Sequence, residues 1–174
     1  MEEIRIYPSR LKATILLIIN VVFSVLIVVL FDDINSNKGL FHKFLSILGF
    51  ILFFSGIFLS VKLLLRKEPL LVITSEEILI NQILMKPIKI YFRDVKSFEV
   101  IYTYHRGFRT NAQIFIEMKK PTEKYKNSKQ YKILFWFSPR LANSQYTIQT
   151  SFLNINHKKL LEILNKKLIM TSYP

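Results

Sequence analysis

The chain of 174 residues contains no cysteine, only four glycines and half as many acidic as basic residues. The absence of cysteine excludes a disulfide scaffold, thiol catalysis and a cysteine-ligated metal. The scarcity of glycine, with 51% hydrophobic residues, excludes a collagen-like fibre and intrinsic disorder. The 12 acidic and 25 basic residues give a net charge of +13, of which +10 lies after residue 69.

Charge is also absent from two long runs, residues 13–31 and residues 44–61. A helix over the first run rises about 28 Å, close to the hydrocarbon core of about 30 Å. Lys62 can snorkel, so the second span extends to residue 65. We therefore predict transmembrane helices at 13–31 and 44–65, joined as an antiparallel hairpin by an external loop at 32–43. The alternatives, two core helices of a soluble protein or a cleaved signal peptide, fit the lengths of the runs less well.

The basic residues that flank the spans indicate orientation. Three precede the first span within residues 1–12, and three follow the uncharged run of the second (Arg5, Arg10, Lys12; Lys62, Arg66, Lys67). The connecting loop has two lysines beside two aspartates. By the positive-inside rule, both termini are expected in the cytoplasm, in a multi-pass protein of a bacterial inner membrane.

Small and polar residues inside the spans suggest how the two helices pack. Small residues let helices approach closely, and a polar side chain can form a hydrogen bond across the pair. The predicted packing residues are Asn20, Ser24, Gly49, Ser55, Gly56 and Ser60. A solute pathway is the alternative, but neither span holds an internal acidic or basic residue apart from Lys62 near its end.

Residues 70–174 have the periodicity of an antiparallel β domain. β-branched and aromatic residues alternate with polar ones between turn signals, which predicts a sandwich or barrel of seven antiparallel strands. The predicted strands are 70–73, 78–82, 88–92, 95–104, 113–118, 131–137 and 146–152. A C-terminal amphipathic helix, capped by Asn154 or Asn156, follows with Leu160, Leu161, Leu164 and Leu168 on its apolar face. Closure of one end of the barrel is its expected role, and a peripheral membrane helix is the alternative.

This order resembles the pleckstrin-homology (PH) fold, and Thr74–Glu77 with Phe92–Val95 resembles bacterial PH-like domains. With Ile4–Ser9 before the first span, the whole chain is similar to a family of small two-span bacterial inner-membrane proteins of unknown function. The resemblance implies a cytoplasmic PH-like domain and no established activity. Phosphoinositide-binding PH domains carry basic residues between their first two strands, whereas Thr74–Glu77, assigned here to that loop, is acidic.

Two basic clusters are candidate binding sites for anionic lipid headgroups or for a protein partner. One contains Lys119, Lys120, Lys124, Lys126 and Lys129, and the other contains Arg106 and Arg109. Basic side chains near an anionic leaflet contribute about 1 kcal/mol each. Ordinary solvated loops are the alternative, and nucleic-acid binding is not expected because no recognised module accompanies the charge.

No catalytic or metal-binding pattern occurs, so an enzyme is not expected and no cofactor is implied. The leading hypothesis is an interaction module at the cytoplasmic membrane surface, binding a protein or lipid. An immunity-type or inhibitory membrane protein, and a structural subunit that forms homo-oligomers through its spans, are the alternatives.

Overall fold

The helical hairpin interrupts the β-rich domain instead of preceding it. The computed structural model describes residues 3–30, 40–83, 86–106 and 108–172. Residues 8–68 form one unit, while the residues before Pro8 join those from Pro69 onward in a second unit. The domain is therefore built from two separate stretches of chain.

Two long helices, α1 (Arg10–Val29) and α2 (Leu40–Leu65), form the hairpin. Both are long and apolar enough to cross a membrane, and only 17% and 6% of their most apolar windows are buried. A core helix of a soluble protein would be mostly buried, so these values favour a lipid environment. Ser9 caps α1 by accepting a hydrogen bond from Lys12 N at 3.5 Å, which starts the helix before the predicted span. Residues 31–39, most of the predicted loop, lie outside the described residues.

The first sheet contains four antiparallel strands in the order β1-β2-β3-β4. They are β1 (Ile4–Ile6), β2 (Leu71–Ile73), β3 (Glu77–Ile80) and β4 (Ile88–Tyr91). The pairing of Ile4 with Ile73 and of Ile6 with Leu71 answers a question the sequence leaves open, because the N-terminal segment does join this sheet. At the β2–β3 turn, the Thr74 hydroxyl accepts hydrogen bonds from Glu76 N and Glu77 N.

The second sheet has three antiparallel strands in the order β5-β6-β7. They are β5 (Val95–His105), β6 (Phe108–Met118) and β7 (Tyr146–Gln149), and a single 3₁₀ turn at Phe92–Asp94 links the sheets. The described residues contain seven antiparallel strands followed by a helix, which is the predicted number, although Ile4–Ile6 takes the place of the predicted strand at 131–137. The strands divide into sheets of four and three and do not form one sheet.

The C-terminal helix α6 (His157–Ser172) packs on β5, on β6 and on the 3₁₀ turn at Phe92–Asp94. Asn156 caps it, since its Oδ1 accepts a hydrogen bond from Lys158 N at 3.0 Å. Leu160 and Leu164 are completely buried, as the leucine spacing predicts. These leucines belong to the domain core, so the face that carries them is not available to a membrane.

One predicted strand is wrong. Residues 131–137 belong to an α-helix, α4 (Lys129–Phe137), which lies between the short helices α3 (Glu123–Lys126) and α5 (Pro139–Asn143). Ser128 explains the difference, because its side chain accepts a hydrogen bond from Tyr131 N at 3.1 Å and starts a helix. Aromatic and β-branched composition favoured a strand, but the capped helix is what forms here.

The strand numbering also needs correction. Because Ile4–Ile6 is the first strand, Thr74–Glu77 joins the second and third strands, and the hairpin joins the first and second. The acidic sequence of Thr74–Glu77 therefore says nothing about the connection between the first two strands.

Candidate functional site

The candidate site is the segment between β6 and β7, residues 119–145, called here the basic insertion. It contains seven basic residues and one acidic residue, a net charge of +6. Three short helices, α3, α4 and α5, replace the predicted loop and strand. The insertion carries +6 of the net charge of +10 that follows residue 69.

The two ends of the basic insertion are tied together by one side chain. Gln145 accepts a hydrogen bond from Thr122 N at 3.1 Å and donates to Thr122 Oγ1 at 3.0 Å. Its Nε2 also lies 3.0 Å from the Tyr146 hydroxyl, at the start of β7. Pro121 and Ala142 are buried, and α5 packs on β6. The insertion is thus a folded part of the domain.

One edge-to-face aromatic contact joins α4 to α3, and one stacked pair lies within α4 itself. The Tyr131 ring lies 5.4 Å from the Tyr125 ring and 5.7 Å from the Phe135 ring. Such contacts contribute about 0.5–1.5 kcal/mol each beyond the area they bury. Burial raises the pKa of the Tyr125 hydroxyl, which therefore stays neutral around neutral pH. Tyr131 and Leu134 are half-buried and point α4 inward.

The outer side of α4 exposes large apolar side chains. Trp136 is 81% exposed and Ile133 is 59% exposed. Trp136 is the only tryptophan in the chain. Single exposed apolar residues are common on protein surfaces, but neighbouring ones that form a patch usually mark an interaction surface.

Four of the five predicted lysines are exposed in the basic insertion, namely Lys119, Lys120, Lys124 and Lys129. Lys126 differs, because its Nζ lies 2.9 Å from Glu123 Oε1. That hydrogen bond raises the pKa of Lys126, which stays protonated, while the Glu123 carboxylate offsets part of its positive charge. Lys132, which continues the same run of lysines in the sequence, is also exposed.

The structure separates the predicted arginines from these lysines. Arg106 is exposed at the β5–β6 turn, with a positive φ of 49°. The basic insertion begins at the other end of β6, about 30 Å away along an eleven-residue strand. Arg109 lies in β6, and its side chain is outside the described residues. The arginine cluster and the lysine cluster therefore lie at opposite ends of β6 and do not form one binding surface.

The hairpin residues form a contact line of their own. Phe23 stacks on Phe53 with ring centroids 4.9 Å apart, and a Cβ added at Gly49 would lie 3.3 Å from Ile27 Cδ1. Chain numbers rise on α1 as they fall on α2, as an antiparallel pair requires. Among the predicted packing residues, Asn20, Ser24 and Ser60 are buried, Gly49 and Gly56 face α1, and Ser55 is exposed.

Asn20 packs directly against Gly56, where an added Cβ would lie 2.6 Å from Asn20 Cγ. The Asn20 amide donates to Leu16 O at 2.7 Å, within its own helix, whereas the sequence suggested a hydrogen bond across the pair. Ser60 donates to Gly56 O at 2.7 Å, and the buried Ser24 hydroxyl has no hydrogen-bond partner. Close approach, more than polar bonding, is what the small residues provide here.

One buried carboxylate lies outside the basic insertion and outside the hairpin. Glu117 in β6 is held by Lys96 Nζ at 2.8 Å and by the Ser97 hydroxyl at 2.7 Å. These donors compensate for its burial and link β5 to β6. Within the described parts of the chain, no cluster of three histidine, aspartate or glutamate side chains could hold a metal ion.

Comparisons with protein-family models, with curated proteins and with solved structures found no match to this chain. Sequence reasoning located the lysines but missed the exposed Trp136 and Ile133, because it placed them in a strand. The signal that could have found them is the Asn127–Ser128 pair, a good helix cap four residues before Lys132.

Proposed function

We propose that the chain is a bacterial inner-membrane protein whose β domain, PH-like in architecture, serves as an interaction module at the cytoplasmic surface. The observation that carries this proposal is the folded, exposed basic insertion on a domain joined to both ends of an apolar hairpin. Cations held beside a membrane favour anionic headgroups or acidic protein surfaces.

Two features support the topology and the fold in this proposal. β1 precedes the hairpin and β2 follows it, so their pairing requires both ends of the hairpin on one side of the membrane. The basic flanks favour the cytoplasm for that side. Four strands, three strands and a C-terminal helix is also the order of a PH domain, here with the hairpin between its first two strands.

Photocrosslinking in intact cells tests the interaction. A photoreactive residue at Lys124, exposed in the basic insertion, is expected to give a discrete adduct with a protein or a lipid. The same group at Glu162, exposed on α6, is the matched control and is expected to give little. Equal labelling at the two positions, or none at Lys124, would contradict an interaction module built on the basic insertion.

A further inference from the structure

The outer face of α4 combines charge and apolar surface in a regular pattern. Lys129, Lys132, Ile133 and Trp136 stand at positions i, i+3, i+4 and i+7, and all four are exposed. At roughly 100° per residue, these positions share an arc of about 100° on one side of the helix. Tyr131 and Leu134 occupy the inner side.

This mixture fits a lipid interface better than a protein partner. The cores of protein interfaces are depleted in lysine, whereas lysines here stand within the apolar face. In the headgroup region, tryptophan is enriched, and a lysine can bury its stem while its ammonium group reaches the phosphates. Amphipathic helices that bind anionic bilayers combine lysine with tryptophan and other large apolar residues.

Charge complementarity identifies the kind of lipid. The basic insertion carries a net charge of +6, and Lys119, Lys120 and Lys124 extend the cationic surface beyond α4. An anionic leaflet supplies phosphates at high density, and its attraction falls off within a Debye length. A helix on a domain that is already tethered to the membrane lies within this range more readily than a free protein does.

We propose that α4 is an interfacial helix that inserts Trp136 and Ile133 into the headgroup region of an anionic phospholipid leaflet. Lys129 and Lys132 would contact the phosphates from the same face. This inference rests on the proposed function, because the hairpin must hold the domain at the membrane. It adds a defined site and a defined ligand to that function.

Trp136 itself reports the outcome, since it is the only tryptophan in the chain. The full-length protein is reconstituted in phosphatidylglycerol-containing vesicles, with brominated lipids as contact quenchers. The expected result is blue-shifted emission, most of which is lost with bromine near the headgroup and less with bromine near the chain end. Vesicles of phosphatidylcholine alone, or high salt, are expected to restore much of the emission.

Paired lysine variants provide the matched comparison. The double change Lys129→Gln and Lys132→Gln is expected to weaken the quenching in anionic vesicles. The double change Lys158→Gln and Lys159→Gln alters two exposed lysines of α6 and removes equal charge, so quenching is expected to be unchanged. Equal effects of the two pairs would overturn the assignment of α4 as the contact.

A second probe separates failure of this inference from failure of the proposed function. An environment-sensitive fluorophore on Leu52→Cys, exposed on α2, reports whether the hairpin is in the bilayer. A lipid-buried probe with water-exposed Trp136 would overturn the interfacial helix and keep the anchor. A water-exposed probe would overturn both. Blue-shifted Trp136 emission that brominated lipids do not quench would show that α4 contacts protein and not lipid, and would overturn the lipid proposal.

Discussion

At the residue scale, the contact between Asn20 and Gly56 decides how closely the hairpin helices approach. A Cβ at residue 56 would lie 2.6 Å from Asn20 Cγ and 2.9 Å from Asn20 Nδ2, which no packed structure tolerates without movement. We expect Gly56→Ala to lower hairpin stability by about 1–3 kcal/mol, the usual cost of overpacking. Thermal unfolding in detergent, followed by helical circular dichroism, measures this loss.

Two further variants make that explanation specific. Gly49→Ala is the matched control, because its added Cβ would meet only the end of the Ile27 side chain at 3.3 Å, which can shift. Asn20→Ala combined with Gly56→Ala removes the obstructing amide and is expected to recover part of the stability. Equal losses at Gly49 and Gly56, or no recovery in the double variant, would show that the contact is not the cause.

At the element scale, the short strand β1 contributes to the domain core although 63 residues lie between Ile6 and Leu70. Ile6 is 5% exposed, and its carbonyl accepts a hydrogen bond from Leu70 N at 2.9 Å. The neighbouring Tyr7 carbonyl accepts from Asn154 N at 3.0 Å. β1 is thereby fixed to the strand that follows the hairpin and to the segment before α6.

We therefore expect Ile6→Ala to destabilise the domain by about 2–5 kcal/mol, because truncation of a buried isoleucine loses apolar burial and leaves a cavity. A short protease pulse at increasing urea concentrations gives the fraction of the domain that remains folded, and the urea midpoint of that curve measures the change in stability. Arg5→Ala is the control, since Arg5 is exposed and its ion pair with Glu3 at 3.1 Å is a surface contact. Similar midpoints for the two variants would mean that β1 is dispensable.

Elements also show what the sequence could predict and what it could not. Charge-free runs and leucine spacing depend on local pattern, and they located both long helices and the buried face of α6. Residues 131–137 read as a strand from sequence because aromatic composition alone does not distinguish the periodicity of a strand from that of a helix. The exposed pattern at Lys129, Ile133 and Trp136 becomes visible only once the helix is known. The pairing of β1 with β2 joins segments that are far apart in the chain. The alternating pattern of the N-terminal segment is compatible with a strand, but it does not identify the strand with which that segment pairs.

At the scale of the whole molecule, the discontinuous domain constrains membrane topology more tightly than flanking charge does. The positive-inside rule compares a few lysines and arginines, and here the margin is small. The β1–β2 pairing adds an independent condition, since β1 and α6 belong to the same folded unit. Residues before α1 and residues after α2 must then share one side, whichever side it is.

Single-cysteine labelling tests this condition directly, because the native chain has no cysteine and each variant carries one thiol. A membrane-impermeant maleimide is expected to label Lys43→Cys in intact cells. Glu3→Cys and Lys166→Cys, both at exposed positions of the β-rich unit, are expected to react only after permeabilisation if the proposed orientation holds. Labelling of those two on opposite sides would contradict the β1–β2 pairing. Labelling of both from outside would keep the pairing and reverse the orientation, and anionic lipid of the outer leaflet would then face the basic insertion.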